Sequence, residues 1–253
     1  MITAVQPEIS VIDQRRSLEV RWILPGQPGA AVAGWFTRFE AAMESREDTY
    51  LLDPPLPGLS VKLRNGRALE VKAYRGSPGI LEVAGCASGR LESWDKWSVP
   101  YDPREPLSHD GRALRGWRPV RKLIRRFTLA DGQGAARVPG LGQEAGCDVE
   151  LTEVHVCGQA WWTLGFEATG PAGLLRRELE TAAALVFAQA VPRGVHLGTD
   201  DSQSHAQWLP TTGYPAARRD DLARYVGWRH ARSDRRRPWQ DCAAAGEPAG
   251  RAR

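Results

Sequence analysis

The sequence predicts a mainly antiparallel β-barrel, or a strongly curved sheet, with flanking helices, in the α+β class. Several segments alternate apolar and charged side chains, which is the pattern of strands with one buried face. Gly, Pro and Asn residues separate these segments, and short turns join neighbours as hairpins. The charged faces are mostly basic with a few carboxylates, which suits a polyanionic ligand and a metal ion.

The first predicted strand spans residues 17–24 and follows a lead-in at residues 1–14. Because side chains alternate along a strand, Glu19 and Arg21 share one face and apolar residues occupy the other. A Pro- and Gly-rich run at residues 25–29 ends the strand.

Residues 30–44 carry aromatic and apolar side chains near helical spacing, which predicts a helix that packs on the core. A short strand is expected at residues 48–52. Strands 59–64 and 68–74 follow, and Asn65-Gly66 between them is typical of a hairpin turn. The two arms of this hairpin present Lys62, Arg64, Glu70 and Lys72.

Gly, Pro and Ser punctuate residues 76–116, where we expect a strand at 80–84 and a short helix at 89–97. A long basic strand is predicted at 117–129, with Lys122, Arg125 and Arg126. Residues 148–156 and 161–168 predict a second hairpin, which contributes Glu150 and Glu167.

Residues 173–190 predict a helix with one apolar face. We assign residues 15–208 to the barrel domain and residues 209–253 to an Arg-rich, largely disordered tail, in which 220–232 could form a short helix. Trp22 and Trp162 are expected to pack helices against the barrel, and the five scattered histidines to be ordinary structural or surface residues.

Composition limits the function classes. The formal net charge of +4 is too modest to indicate nucleic-acid binding, and the four cysteines include no C-x-x-C pair of the kind that binds zinc. The sequence shows neither a signal peptide nor a transmembrane segment, so a cytoplasmic protein with no membrane partner is expected. Oligomeric state is not predicted.

The charged segments follow one another in a definite order along residues 15–190. They are Ser17-x-Glu19-x-Arg21, Asp48-Thr49-Tyr50, Lys62-x-Arg64, Glu70-x-Lys72, the basic strand with Lys122, and Thr163-x-Gly165-x-Glu167. This series resembles the CYTH, or triphosphate tunnel metalloenzyme, superfamily. Its pattern opens on a Glu-x-Glu-x-Lys strand and closes on a strand rich in Glu.

The resemblance implies an eight-stranded antiparallel barrel whose polar interior is a tunnel for triphosphates. Members hydrolyse inorganic triphosphate, thiamine triphosphate or RNA 5′-triphosphates, or cyclise adenylate, which we consider the less favoured activity here. The implied ligand is a phosphorylated small molecule (a triphosphate, polyphosphate or nucleotide), and the implied cofactor is Mg²⁺ or Mn²⁺, which prefers oxygen ligands.

The resemblance also implies residue roles. Phosphate binding falls to Arg21, Lys62, Arg64, Lys72, Lys122 and Arg126. Metal binding falls to Glu19, Glu70, Glu150 and Glu167, of which Glu19 and Glu167 are also the catalytic candidates. Two family carboxylates are replaced, by Ser17 and Gly165, which weakens metal binding more than phosphate binding. We therefore expect a metal-dependent phosphohydrolase or, alternatively, a non-catalytic binding module of the same fold.

Overall fold

The computed structural model describes most of the predicted barrel. The described residues are 13–52, 56, 58–102, 116–130, 133–137 and 145–212, with the backbone alone at 130 and 133–137. The strands are β1 (Asp13–Pro25), β2 (Ala42–Leu51), β3 (Leu59–Arg64), β4 (Ala68–Val83), β5 (Ala87–Pro100), β6 (Trp117–Ala130), β7 (Gln133–Arg137), β8 (Gly146–Val156) and β9 (Gln159–Thr169). The α-helices are α1 (Ala30–Thr37), α2 (Leu175–Phe187) and α3 (His205–Trp208), and Leu209–Thr211 forms a 3₁₀ turn directly after α3.

Eight strands close into an antiparallel barrel. The sheet order is β2-β3-β4-β5-β1-β9-β8-β6-β7, and β2 also pairs with β6, which joins the two ends of the ring. The closing pair runs in register from Ala42 opposite Arg126 to Leu51 opposite Trp117. Strand β7 lies outside the ring as a hairpin partner of β6. The predicted eight-stranded antiparallel barrel is confirmed.

The barrel wall sorts side chains by alternation. In β1, Glu19 and Arg21 face the interior, while Val20 and Trp22 are buried on the outer side. The outer cluster includes residues of α1 and α2, which pack on the wall. Trp22 meets Phe187 of α2 edge to face, with ring centroids 6.2 Å apart. Trp22 thus packs against a helix as predicted, and Trp162 belongs to the same outer cluster.

One end of the barrel is filled by the segment that contains α3. The pairing of β1 with β5 stops at Glu19 opposite Glu92, and Ser202 enters beyond this point. The Arg90 amide donates to Ser202 Oγ at 2.8 Å, and the Gln203 amide donates to the Arg21 carbonyl at 3.0 Å. An apolar cluster, which we call the end plug, then packs inside the barrel. It consists of Ile23, Tyr50, Val120, Val154, Val156, Trp208 and Leu209.

Several predicted elements match the structure closely. The strands predicted at 17–24, 59–64, 68–74 and 117–129, the hairpin of β8 with β9, and the helix at 173–190 are all present. The φ angles of Asn65 and Gly66 are 49° and 61°, as a mirror-image hairpin turn requires. Strand β1 begins at Asp13, whereas the predicted strand begins at Ser17. Leu209, the first residue assigned to the largely disordered tail, is buried. The helix suggested at 220–232 lies outside the described residues.

Two helix predictions are corrected. The helix expected at 30–44 ends at Thr37, and its last residues begin β2, because pairing with β6 satisfies their backbone groups. The helix expected at 89–97 is part of β5, and the strand expected at 80–84 is the end of β4. Strand β5 pairs with β4 and with β1, and this long-range pairing overrides local helix propensity.

We predict that Gly89 is required for close packing inside β5. A Cβ at this position would lie 2.6 Å from Val20 Cγ2 and 2.7 Å from Trp22 Cζ2. Gly89→Ala should therefore lower the free energy of unfolding by about 1–3 kcal/mol, measured by urea denaturation. The matched control is Gly34→Ala in α1, where a Cβ meets no described atom within 4 Å. The control should be neutral or stabilising by about 0.5–1 kcal/mol, and equal losses in both variants would contradict the prediction.

Candidate functional site

The inward side chains surround a cavity of about 340 Å³ inside the barrel, which we call the central cavity. All ten predicted site residues line it: Glu19, Arg21, Lys62, Arg64, Glu70, Lys72, Lys122, Arg126, Glu150 and Glu167. They come from six strands, β1, β3, β4, β6, β8 and β9, so only closure of the barrel brings them together. Their roles were implied by the resemblance, and alternation along each strand directs their side chains to one shared interior.

Basic side chains outnumber acidic ones around the central cavity. The basic set is Arg15, Arg21, Arg46, Lys62, Arg64, Lys72, Arg90, Lys96, Lys122 and Arg126. The acidic set is Asp13, Glu19, Glu70, Glu92, Asp148, Glu150 and Glu167. The buried carboxylate of Asp48 contacts the basic set from within the wall and still leaves an excess of positive charge.

Asp48 holds three of the cations in place. Its Oδ2 lies 3.3 Å from both Lys62 Nζ and Lys122 Nζ, and its Oδ1 lies 3.2 Å from Arg46 Nε. Burial alone would raise the pKa of Asp48, but these cations outweigh it and hold the pKa well below its ordinary value. Lys122 also donates to the Tyr50 hydroxyl at 2.7 Å. One carboxylate thus orients two ammonium groups towards the same space.

Glu70 forms a second multiple ion pair. Its oxygens lie 2.8 Å from Arg64 Nη1, 3.1 Å from Lys62 Nζ and 3.5 Å from Lys96 Nζ. Burial opposes ionisation, but these three cations lower the pKa of Glu70. A carboxylate shared among three cations neutralises each of them only in part.

Lys72 bridges the two carboxylates that were predicted to be catalytic. Its Nζ lies 2.5 Å from Glu19 Oε1 and 3.3 Å from Glu167 Oε1. Burial would lower the pKa of Lys72, but Glu167 and Glu19 outweigh it and raise the pKa. Ser17 is buried and donates to Glu19 Oε1 at 2.6 Å, so its hydroxyl helps to fix the position of the Glu19 carboxylate.

Arg21 occupies the space above Gly165. A Cβ at Gly165 would lie 2.7 Å from Arg21 Cζ. The guanidinium group instead donates to Thr163 Oγ1 at 3.0 Å and pairs with Glu150 Oε2 at 3.3 Å. The Arg21 guanidinium group thus fills the space beside Gly165, so the missing side chain of Gly165 does not leave an empty ligand position.

Lys96 is a member of the site that the sequence analysis missed. It lies opposite Lys72 on β4 and Arg15 on β1, so these three residues form a basic row across adjacent strands. Burial lowers the pKa of Lys96 and the nearby Lys72 adds to this effect, against the attraction of Glu167 and Glu70. Arg90, Glu92, Trp94 and Lys96 alternate with period two, as residues on one face of a strand do. This pattern could have identified Lys96, but the segment was interpreted as a helix.

Glu92 and His205 were also missed. Glu92 lies opposite Glu19, and burial followed by the Glu19 charge raises its pKa, although Trp94 Nε1 donates to it at 3.2 Å. Burial, with Lys122 and Arg21 nearby, keeps the pKa of His205 well below its ordinary value. No sequence signal marked His205, because its segment enters the barrel only through tertiary packing.

The predicted divalent metal does not fit this arrangement. Glu19 and Glu167 pair with Lys72, Glu150 pairs with Arg21 and Arg126, and Glu70 pairs with three other cations. Within the described part of the chain, no group of three or more His, Cys, Asp or Glu residues is placed to hold a metal ion. The carboxylates act here as partners of the internal cations.

Neither a scan of protein-family models nor a search of curated proteins finds a match to this chain. In the portion that the structure describes, no helix has the length and apolar character needed to cross a membrane.

We predict that Glu150 is one source of acid sensitivity. Burial opposes its ionisation, but Arg21, Arg46 and Arg126 lower its pKa from 4.5 to about 2. The stability that this depressed pKa contributes is complete above pH 4.5 and is lost as the pH falls to about 2. Glu150→Gln should be about 1–3 kcal/mol less stable at neutral pH, and should lose less further stability on acidification than the natural chain.

Urea denaturation near neutral pH and at a pH of about 2.5 measures both effects. The control is Glu180→Gln on α2, where the exposed carboxylate pairs with Arg176. If Glu150→Gln and the natural chain lose equal stability on acidification, Glu150 is not a source of the sensitivity.

Proposed function

We propose that this chain binds a phosphorylated polyanion, of the triphosphate or polyphosphate class, inside the barrel. The observation that carries the proposal is the excess of Lys and Arg over Asp and Glu around the central cavity. Such an excess is costly inside a protein unless an anion offsets it. A polyanion would complete the neutralisation that the internal carboxylates leave unfinished.

The arrangement of the cations supports a ligand with several charges along its length. Lys72, Lys96 and Arg15 form a row across β4, β5 and β1. Lys62 and Lys122 both form ion pairs with Asp48 Oδ2, so their ammonium groups lie close together. Successive phosphates of one ligand could contact successive cations. Arginine supplies planar pairs of donors for phosphate oxygens, and lysine supplies a compact charge that can reorient.

The resemblance to the triphosphate tunnel superfamily supports the same proposal. An eight-stranded antiparallel barrel carries the charged segments in the expected order, and their side chains share one interior. In this proposal the central cavity is the ligand tunnel, and α1 and α2 are the flanking helices of the α+β class.

The pairing of the carboxylates favours ligand capture over turnover. Glu19 and Glu167 are bound to the same ammonium group, which leaves neither oriented as a free metal ligand or base. Metal-dependent hydrolysis by these two residues, with Mg²⁺ or Mn²⁺, stays a prediction from the resemblance. The binding proposal does not depend on it.

Titration with inorganic tripolyphosphate tests the proposal. We expect saturable binding at low salt that weakens as salt screens the charges. Lys96→Gln and Arg64→Gln should each weaken binding about 10- to 100-fold, because each removes charge-assisted contacts of about 1.5–3 kcal/mol. Isothermal titration calorimetry gives the affinities directly.

The matched control is Arg176→Gln, which removes an exposed arginine from α2 and should leave the affinity unchanged. Absence of saturable tripolyphosphate binding by the natural chain would overturn the proposal. Unchanged affinity in both cavity variants would place the bound anion elsewhere on the protein.

A further inference from the structure

A second cavity of about 310 Å³ lies beside the central cavity, between α3 and the strands β2, β3, β4 and β5. We call it the aromatic pocket, after Tyr50, Tyr74 and Trp94, which line it together with Leu52, Leu59 and Gln207. Its volume is at the lower end of the range of small-molecule pockets, about 300–1,000 Å³. The proposed function does not account for it.

The chemistry of the aromatic pocket contrasts with that of the central cavity. Among the described residues that line it, none is Asp, Glu, Lys or Arg. Tyr74 and Trp94 pack with ring centroids 5.1 Å apart at an interplanar angle of 59°, and Leu59 is 40% exposed at the rim. Such a surface favours a planar apolar group, which gains from ring contacts and from leaving water.

The two cavities are contiguous along part of their walls. Tyr50, Ser60, Trp94 and Ala206 line both of them. Lys62 Nζ lies 5.6 Å from the centroid of the Tyr50 ring, and Lys122 Nζ donates to the hydroxyl of the same residue. The phosphate-binding cations and the aromatic surface are thus separated by roughly one side chain.

We infer that the bound polyanion is an organic triphosphate whose planar aromatic base lies in the aromatic pocket, in other words a nucleoside triphosphate. This inference rests on the proposed function and narrows its ligand class. An inorganic polyphosphate would leave the aromatic surface unused. Gln207 Oε1 accepts from the Ser204 amide, so the side-chain NH₂ group is what Gln207 offers to the polar edge of a base, beside the rings that contact its faces.

Calorimetric titration of the natural chain with ATP, GTP, CTP, UTP and inorganic tripolyphosphate tests the inference. At least one nucleoside triphosphate should bind about 5- to 100-fold more tightly than tripolyphosphate, which is the gain expected from base–aromatic contacts. Tyr74→Ala should remove most of this gain and leave the affinity for tripolyphosphate unchanged within about two-fold.

Two further variants make the result interpretable. Tyr101→Ala removes the same side chain at a position that lines neither cavity, and should alter no affinity. Leu59→Asp places a negative charge at the exposed rim of the pocket, so it tests the pocket even if Tyr74→Ala fails to fold. It should weaken nucleoside triphosphate binding more than tripolyphosphate binding.

The possible outcomes separate the two proposals. If tripolyphosphate and the nucleoside triphosphates all fail to bind, the proposed function itself is wrong. If tripolyphosphate binds as tightly as every nucleoside triphosphate, only the inference about the aromatic pocket is overturned. It is also overturned if Tyr74→Ala and Leu59→Asp both fold and change the affinities for the two ligand classes equally, or change neither.

Discussion

Pairing of β2 with β6 is the interaction on which the structure of the site depends. It closes eight strands into a ring over ten residue pairs, from Ala42–Arg126 to Leu51–Trp117. In an open sheet the charged faces of these strands would lie in water. In a closed barrel the same faces must share a small interior, where charges interact far more strongly. Closure therefore converts rows of surface charge into a site.

Burial of so many charges requires internal compensation. In the described structure, single charged groups form ion pairs with several partners at once. Asp48 and Glu70 each contact three cations, and Lys72 contacts two carboxylates. Compensation is incomplete because more basic than acidic side chains line the cavity. Functional sites often retain such local conflicts at the expense of stability. The excess charge and the adjacent aromatic surface together define the ligand that we propose.

Packing outside the barrel holds this charged interior in shape. The outer cluster joins the apolar faces of the strands to α1 and α2, and the end plug fills one end of the barrel. Glycines allow the closest contacts on both sides of the wall. Gly89 admits the Trp22 ring on the outside, and Gly165 admits the Arg21 guanidinium on the inside. Gly165 on β9 lies directly opposite Arg21 on β1, whose side chain fills the space that a larger residue would take.

The sequence by itself determined most of the strands, their two faces, and most of the charged residues that line the central cavity. It could do so because alternation is a local property that a single segment displays. It also identified the β3–β4 hairpin, whose turn residues must adopt positive φ angles. Only the tertiary structure decided that residues 89–97 are a strand, that Lys96 and Glu92 belong to the site, and that His205 lines the central cavity. These outcomes depend on pairing and packing between segments far apart in the chain, and local residue preferences carry no information about such partners.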